Sequence, residues 1–461
     1  MSALARYFHQ RGDEVSGYDR TPSPMTESLQ SEGIAVHYDD NPMLLPDAID
    51  MVVYTPAVPQ ELREFQALKE RGVRIEKRSQ VLGELTRNKK CIAVAGSHGK
   101  TTTSSMIAYL LSLGSCGCSA FLGGISKNFD SNLHVDDSSE YIVVEADEYD
   151  RSFLHLHPYM AVITATDPDH LDIYGDHEHM LEAYVQFTNQ VDSDGRIFLK
   201  NGIFVKEDGE PYIEFGSHHH EHENHDYKAH HVTLNTHHFT YTAHGIEADY
   251  YAINVRTYNG NLFFDMRTPE GVLYDMELCG TALFNIENAV AAAAVALNCG
   301  IDQYQLRYGL KSFAGVRRRF DYRIREKNLV YIDDYAHHPE EIRSAIESLR
   351  YLYPNKRIVG IFQPHLYSRT RDLADQFVEV LKELDEIVMM PIYPAREKPI
   401  AGVTSSMILK RIPSMSKYLC TSEQVLELVP ALCPDIVVTL GAGDIDRLVP
   451  RLEHILREQV L

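Results

Sequence analysis

At 461 residues the chain is too long for one ordinary hydrophobic core, so we expect about two to four domains. Its 44 lysines and arginines against 66 acidic residues give a net charge of −22, which excludes a general basic surface for nucleic acid. No apolar run has the length of a membrane span. The seven cysteines form no Cys-x-x-Cys pair, which favours free thiols and a cytoplasmic location.

The first region, residues 1–88, alternates helical and strand patterns, which predicts a parallel Rossmann-like sheet. A helix begins at Ser2, and strand patterns end near Asp19 and Thr55. Such a sheet normally starts with a strand and a glycine-rich turn before its first helix. Because the sequence opens directly on the helix, we expect that roughly 15 further residues precede Met1 in the complete protein.

A phosphate-binding turn is predicted after the apolar run 91–95, where a strand meets a helix. The predicted nucleotide-binding residues of this turn are Gly96, Ser97, His98, Gly99, Lys100, Thr101 and Thr102. Backbone N–H groups and the helix dipole favour an anion here, Lys100 can reach the β- and γ-phosphates, and the Thr101 hydroxyl can bind Mg²⁺. An ordinary strand–helix turn is the alternative. The loop is short, since Val94 stands where the first glycine usually lies.

Two polar side chains follow the next predicted strands. Glu145 ends the strand 141–145, and His170 follows the strand 160–164. Because α/β sheets bind ligands at the carboxyl ends of their strands, we expect both to lie near Thr101 and to share a metal site. The alternative for Glu145 is an exposed acidic turn.

Residues 196–278 contain short alternating strands with turns at Asn201 and Asn259, which predicts an antiparallel addition. The His-rich stretch 218–231 within it resembles a solvated loop more than a closed metal site. An alanine-rich helix is then predicted from Asn285 to Leu297.

The last region, residues 314–461, again alternates strands and helices and predicts a second Rossmann-like sheet. Polar runs follow two of its strands, at 333–339 and 363–371, and the latter carries Arg369 and Arg371 as candidates for binding carboxylate or phosphate. The basic run 317–319 is either a solvated turn or the source of an arginine that reaches the nucleotide. Gly441 and Gly443 are predicted to form a plain turn.

These motifs occur in an order that resembles the Mur ligase family over essentially the whole chain. They are Gly96–Thr103, Glu145–Glu148, Asp169–Asp172, the helix with Asn285 and Asn288, Arg318–Phe320, Asp333–Pro339 and Gln363–His365.

The resemblance implies a three-domain α/β protein: a Rossmann-like UDP-sugar domain at 1–88, a central ATP-binding domain of P-loop ATPase type with a mixed sheet at 89–313, and a Rossmann-like amino-acid domain at 314–461. It implies an ATP-dependent, ADP-forming ligase of peptidoglycan synthesis that acts with Mg²⁺. The implied reaction joins L-alanine to the carboxylate of UDP-N-acetylmuramate through an acyl phosphate.

The resemblance also assigns roles. ATP contacts would include Lys100, Asn285, Asn288, Arg319 and Asp334. Thr101, Glu145 and His170 would hold Mg²⁺. Tyr335, His337, His365 and Arg369 would contact the muramoyl carboxylate and alanine. Lys100, Glu145, His170 and His337 would be catalytic, with either histidine as the base.

Two other functions stay open at this point. One is a ligase that attaches a recycled murein tripeptide to UDP-N-acetylmuramate, and the other is a nucleotide-binding homologue without ligase activity. Folate polyglutamylation shares the architecture but not the C-terminal motifs. The sequence departs from the family pattern at the N-terminal glycine turn, at Leu366, where an arginine is common, and at Phe284, where a histidine is common.

Overall fold

The computed structural model describes residues 1–204, 237–243, 248–395, 397–413 and 416–460. The chain forms two compact units. The first contains residues 1–253, 266–273 and 287–310, and the second contains residues 254–265, 274–286 and 311–461. Helices and strands alternate through most of the chain, so the α/β class is as predicted. The predicted His-rich stretch 218–231 lies outside the described residues.

The α-helices are α1 Ser2–Gln10, α2 Pro24–Ser31, α3 Arg63–Glu70, α4 Arg78–Thr86, α5 Lys100–Ser112, α6 Leu171–Tyr174, α7 His177–Thr188, α8 Asn285–Asn298, α9 Gln303–Ser312, α10 Pro339–Leu352, α11 Tyr367–Asp372, α12 Ala374–Leu381, α13 Ser405–Leu409, α14 Ser422–Ala431 and α15 Val449–Val460.

The strands are β1 Ser16–Tyr18, β2 Ala35–His37, β3 Met51–Tyr54, β4 Arg74–Lys77, β5 Lys90–Ala95, β6 Ser119–Ser126, β7 Ser131–His134, β8 Tyr141–Glu145, β9 Pro158–Ile163, β10 Arg196–Lys200, β11 His238–Thr242, β12 Tyr250–Tyr258, β13 Asn261–Thr268, β14 Gly271–Leu278, β15 Asp321–Arg325, β16 Val330–Asp334, β17 Ile358–Phe362, β18 Glu386–Met389, β19 Lys417–Leu419 and β20 Ile436–Leu440.

The first region forms two parallel strand pairs, β1 with β2 and β3 with β4. The parallel pairing agrees with the predicted Rossmann-like pattern. Helix α1 is fixed to the rest of its unit by buried Arg6, which donates to both carboxylate oxygens of Glu32 and, at 2.6 Å, to the side chain of Asn132. Charge-assisted, bidentate bonds of this kind fix orientation more strongly than neutral ones.

The largest sheet has ten strands in the order β14-β13-β12-β11-β10-β9-β5-β8-β6-β7. Strand β5 lies between β8 and β9 and is parallel to both. Its residues 91–95 are fully buried, as expected for a central strand of a parallel sheet covered on both faces. The carboxyl ends of these three strands therefore meet at one edge.

One prediction about this sheet is wrong. Strand β10 was expected to begin an antiparallel addition, but it pairs in parallel with both β9 and β11. In the described chain, the next strand after the turn at Asn201 and Gly202 is β11, which begins at His238 and pairs with β10 in parallel. The turn at Asn259 and Gly260 does join neighbouring strands, and both residues have positive φ angles, 50° and 71°, as a two-residue hairpin turn requires.

The third sheet has six strands in the order β15-β16-β20-β17-β18-β19. All pairs are parallel except β15 with β16, which supports the prediction of a second Rossmann-like sheet. Between β17 and β18 the chain forms two helices, α11 and α12, the first of which begins at Tyr367. Gly441 lies in a plain turn after β20, as predicted, with φ 148°.

No helix in the described part of the chain is long and apolar enough to cross a membrane.

Candidate active site

The phosphate-binding turn lies at the carboxyl end of β5. Two glycines allow the backbone of the turn to pack closely against neighbouring residues. Gly96 and Gly99 have φ angles of 138° and 81°. A β-carbon on Gly96 would collide with the hydroxyl of Thr164, and one on Gly99 would lie 2.8 Å from the Asn288 side-chain oxygen. Only glycine fits both positions, so the turn is a specific backbone arrangement rather than a generic loop.

Hydrogen bonds from the neighbouring strand hold this turn in place. The N–H of Ser97 donates to the carbonyl of Ala165 at 3.1 Å, and the Thr164 hydroxyl donates to the carbonyls of Ala95 and His98. Helix α5 begins directly afterwards at Lys100. The first N–H groups of α5 therefore face the turn, and such N–H groups bind anions.

Lys100 is half-buried against a buried acidic partner. Its ammonium donates to Glu148 Oε1 at 2.7 Å and to the carbonyl of Gly96 at 2.5 Å. Burial alone would lower the pKa of Lys100, but the nearby carboxylates of Glu148 and Glu145 raise it above its ordinary value. The lysine is therefore a permanent positive charge at the turn.

Glu148 also belongs to a group of three possible metal ligands. Ligand atoms of Glu148, Asp169 and His170 lie within 4.8 Å of one another. His170 Nε2 is 3.9 Å from Glu148 Oε1, and His170 Nδ1 is 3.7 Å from Asp169 Oδ1. Glu148 Oε2 is buried and has no hydrogen-bond partner among the described residues. Carboxylate oxygens with an unused buried acceptor fit a hard divalent cation such as Mg²⁺.

The backbone after Glu148 is strained. Asp150 and Arg151 both adopt the left-handed conformation, with φ 54° each. Consecutive non-glycine residues rarely do this. Lys77 pairs with Asp150 at 2.8 Å, and the Tyr174 hydroxyl donates to the Glu148 carbonyl at 2.6 Å. These contacts hold the strained segment and keep the Glu148 side chain directed at Lys100.

The other residues predicted for ATP and metal are placed as follows. Glu145 accepts a hydrogen bond from the N–H of Gly123 at 3.0 Å, rather than contacting His170. Thr101 and Thr102 are buried in the first turn of α5. Asn288 accepts from Thr103 in the first unit, and Asn285 donates to Thr281 in the second.

A second cluster lies in the second unit, at the carboxyl ends of β16, β20 and β17. The register aligns Asp334 with Leu440 and Leu440 with Phe362, so the loops after these strands share one edge. Asp334 accepts from the N–H groups of Phe320 and Ala336, both at 2.7 Å. Burial raises its pKa to about 7, against the opposing effects of Arg319 and these N–H groups.

Two arginines surround Tyr335, which follows Asp334. The guanidinium of Arg319 lies 4.9 Å from the ring centroid, and that of Arg318 lies 5.2 Å away. Arg318 is committed to the fold, since it donates to the Gly441 carbonyl at 2.6 Å and lies 3.4 Å from Asp333. Arg319 is therefore the better candidate of the two for contacting a ligand.

The remaining predicted residues of this unit come together around His337. Its ring lies 5.3 Å from that of Tyr335 and 5.9 Å from that of His365. Burial lowers the pKa of His337, with a further contribution from Arg369. The Nη1 atom of Arg369 is buried and makes no hydrogen bond to any described residue. Arg371 instead pairs with Asp372 at 2.7 Å on the surface, which leaves Arg369 as the ligand candidate.

Sequence reasoning did not assign roles to Glu148 and Asp169, although both stand in the polar runs it identified. The strand pattern marks Glu145 as a strand end, whereas Glu148 lies beyond the end of β8 and its contact with Lys100 joins residues 48 positions apart. Tyr393, whose ring stacks on His365 at 5.7 Å, was also missed. No local motif marks it, because the contact depends on the pairing of loops distant in sequence.

Three family models match successive parts of the chain. They are "Mur ligase family, catalytic domain" at residues 1–90, "Mur ligase middle domain" at residues 94–296 and "Mur ligase, glutamate ligase domain" at residues 318–443.

Similar proteins cover nearly the same length. A UDP-N-acetylmuramate–L-alanine ligase from Phocaeicola vulgatus is 46% identical, over 100% of this chain and 96% of the relative. The crystal structure of a UDP-N-acetylmuramate–alanine ligase from Thermotoga maritima has a TM-score of 0.80 at 24% identity and covers 100% of this chain and 96% of that one. A murein peptide ligase from Psychrobacter arcticus has a TM-score of 0.67 at 20% identity and covers 99% and 96%. These structures share the three-domain α/β fold, and with the full-length identity the comparisons establish that the chain belongs to the Mur ligase family.

Proposed function

We propose that this chain is an ATP-dependent ligase that joins L-alanine to the carboxylate of UDP-N-acetylmuramate, as in peptidoglycan synthesis. The observation that carries the proposal is the 46% identity, over the whole chain, to a relative of that name. The geometry supports it, because the turn with Lys100 is suited to binding phosphate, and the His337 cluster is suited to binding a carboxylate and an amine. We also propose domain bounds at 1–88, 89–313 and 314–461, and a cytoplasmic location, in keeping with seven free cysteines.

The nucleotide would bind with its phosphates at the N-terminus of α5. The charged Lys100 would offset negative charge that develops as the γ-phosphoryl group moves to the substrate carboxylate. In that step a carboxylate oxygen bonds to phosphorus, the bond to ADP breaks, and an acyl phosphate forms. Asn285, Asn288, Arg319 and Asp334 are proposed as further ATP contacts.

Mg²⁺ would be held by Thr101, Glu145 and His170, to which the structure adds Glu148 and Asp169 as candidate ligands. The fit is chemical: carboxylate oxygens near one imidazole, with Glu148 Oε2 buried and without a partner in the described chain. When bound, the ion would neutralise phosphate charge. Lys100 already holds Glu148 Oε1 at 2.7 Å and keeps that carboxylate oriented toward the turn.

The His337 cluster would activate the amine of L-alanine for its attack on the acyl phosphate. His337 Nδ1 lies 3.0 Å from the carbonyl of Tyr335, which can only accept, so Nδ1 carries the proton and Nε2 has a free lone pair. The lowered pKa keeps this imidazole neutral near pH 7. We propose that Nε2 takes a proton from the alanine amine as it attacks the acyl phosphate, and that phosphate then leaves to give the amide. Tyr335, His365 and Arg369 would orient the two carboxylates.

The test is phosphate release in the presence of ATP, Mg²⁺ and UDP-N-acetylmuramate, with L-alanine, glycine, L-serine or the murein tripeptide added in turn. We expect release that depends on L-alanine and is lower with glycine or L-serine. Preference for the tripeptide would assign the recycling reaction instead. Binding of ATP without release for any acceptor would leave a nucleotide-binding homologue.

A further inference from the structure

The segment that carries His365 and Arg369 is held by contacts from the loop with Tyr393 and Glu397. Neither of these two residues has been assigned a role. Between β17 and α11, Leu366 adopts φ 70°, a conformation that side chains other than glycine rarely take. Such strain persists only where surrounding contacts over-determine the backbone.

One set of contacts comes from Tyr393. The N–H of Leu366 donates to the Tyr393 carbonyl at 2.9 Å, and the N–H of Tyr393 donates to the Pro364 carbonyl at 2.8 Å. The rings of His365 and Tyr393 are stacked, with 5.7 Å between centroids and 21° between planes. This short ladder fixes the backbone on the N-terminal side of the strained residue.

A second set comes from Glu397, on the C-terminal side. One carboxylate oxygen accepts the N–H of Ser368 at 2.9 Å, and the other accepts the Ser368 hydroxyl. Partial burial alone would raise the pKa of Glu397, but the bonds from Ser368 and the N–H of Tyr367 lower it below its ordinary value. The group is thus a charged carboxylate bound at the start of α11, where the helix dipole also favours it.

Ser368 directly precedes Arg369, whose buried Nη1 has no partner in the described chain. A guanidinium binds a carboxylate through two parallel hydrogen bonds, so the binding depends on the direction of the guanidinium as much as on its position. We propose that Glu397 is a positioning residue: by holding both donors of Ser368 it sets the direction of Arg369 toward the carboxylate of the incoming amino acid. This inference rests on the proposed function, since it takes that amino acid as the ligand of Arg369.

The test compares Glu397→Ala, Glu397→Gln and Ser368→Ala in the full chain, measuring KM separately for L-alanine, ATP and UDP-N-acetylmuramate. Glu397→Ala is expected to raise the KM for L-alanine about tenfold or more, the usual worth of charge-assisted hydrogen bonds, with the other two KM values within about twofold of wild type. Glu397→Gln keeps one acceptor oxygen, so its KM for L-alanine should lie between the values of wild type and Glu397→Ala. Ser368→Ala loses only the hydroxyl donor and should show the smallest effect.

Glu423→Ala is the matched control, because Glu423 is an exposed carboxylate in the same unit and pairs with Arg451 at 2.8 Å. It should leave all three KM values unchanged. The proposal is overturned if Glu397→Ala melts like wild type with an unchanged KM for L-alanine, or if all three KM values rise together. Should Glu397→Ala fail to fold, equal KM values for L-alanine in Glu397→Gln, Ser368→Ala and wild type would overturn it.

Wild-type chain that releases no phosphate with any acceptor would overturn the proposed function, and this inference with it. Release that depends on L-alanine in wild type, with no selective change in the Glu397 variants, would overturn this inference alone.

Discussion

The two clusters are built by different physical means. Around Lys100, a buried ion pair and a glycine turn fix charge at the end of β5. Around His337, the rings of Tyr335 and His365 lie 5.3 and 5.9 Å away, Arg318 and Arg319 lie over the Tyr335 ring, and a carboxylate oxygen of Glu341 lies 3.5 Å from His337 Nδ1. The first arrangement is suited to stabilising phosphate charge. The second combines arginines with an imidazole whose pKa is lowered by burial, all in set orientations, which suits recognition and proton transfer.

The comparison predicts the largest effect at Lys100. Lys100→Met should lower phosphate release about a thousandfold, since a preorganised charge at the reacting group is lost. It should also lower the free energy of unfolding by about 3–5 kcal/mol, because Glu148 is left buried without its partner. Denaturant titration and the phosphate assay measure the two effects separately.

The double variant Lys100→Met/Glu148→Gln separates these roles. Replacing Glu148 removes the uncompensated charge, so stability should return toward wild type while activity stays low. Recovery of activity in the double variant would mean that Lys100 serves only the fold.

A smaller effect is expected at Asp334, through pH. The unfolded chain ionises this carboxyl near pH 4, whereas the folded chain keeps it protonated until about pH 7. Its contribution to stability is thus fully present below pH 4 and is lost as pH rises to 7, by roughly 4 kcal/mol at most. Asp334→Asn should flatten the unfolding free energy over this range. Parallel pH profiles for variant and wild type would contradict a buried neutral carboxyl.

The metal dependence should show an intermediate effect. Chelation of divalent cations is expected to stop phosphate release, and Asp169→Asn should raise the Mg²⁺ concentration for half-maximal rate about tenfold, the usual effect of losing a group at a metal site. Asp176→Asn is a suitable control, because Asp176 caps α7 and pairs with His179 on the surface. An unchanged Mg²⁺ requirement in Asp169→Asn would remove Asp169 from the site.

The smallest effect is expected at Tyr335. Tyr335→Phe keeps the ring face for Arg319 and Arg318 and should melt within a degree or two of wild type. Tyr335→Leu removes both cation–π contacts and should lower the unfolding free energy by about 1 kcal/mol. Equal stability of the two variants would show that the arginines do not depend on the ring.

The two clusters also differ in how far the sequence predicts them. The Lys100 turn is a contiguous motif between a buried strand and a helix, so local pattern is enough to locate it. Glu148 and Asp169 were not assigned, because neither residue ends a strand and the contact of Glu148 with Lys100 joins residues 48 positions apart. The contacts among Tyr335, His337 and His365 depend on the register of β16, β20 and β17.

The prediction of an antiparallel addition at 196–278 was wrong for a similar reason. In the described parts of 196–278, alternating polarity indicated strands correctly, but it carries no information about the direction of their partners. Strand β10 pairs in parallel with β9 and β11 because it extends an existing parallel sheet. Hairpin geometry was predictable at Asn259 and Gly260, where a two-residue turn fixes it.

In the proposed reaction, phosphoryl transfer activates the substrate carboxylate before the amine attacks. UDP-N-acetylmuramate labelled with oxygen-18 in its lactyl carboxylate tests it directly, with mass analysis of the phosphate released in the presence of ATP and L-alanine. Transfer of one labelled oxygen from the carboxylate to phosphate is expected if an acyl phosphate forms. Amide formation with unlabelled phosphate would contradict it.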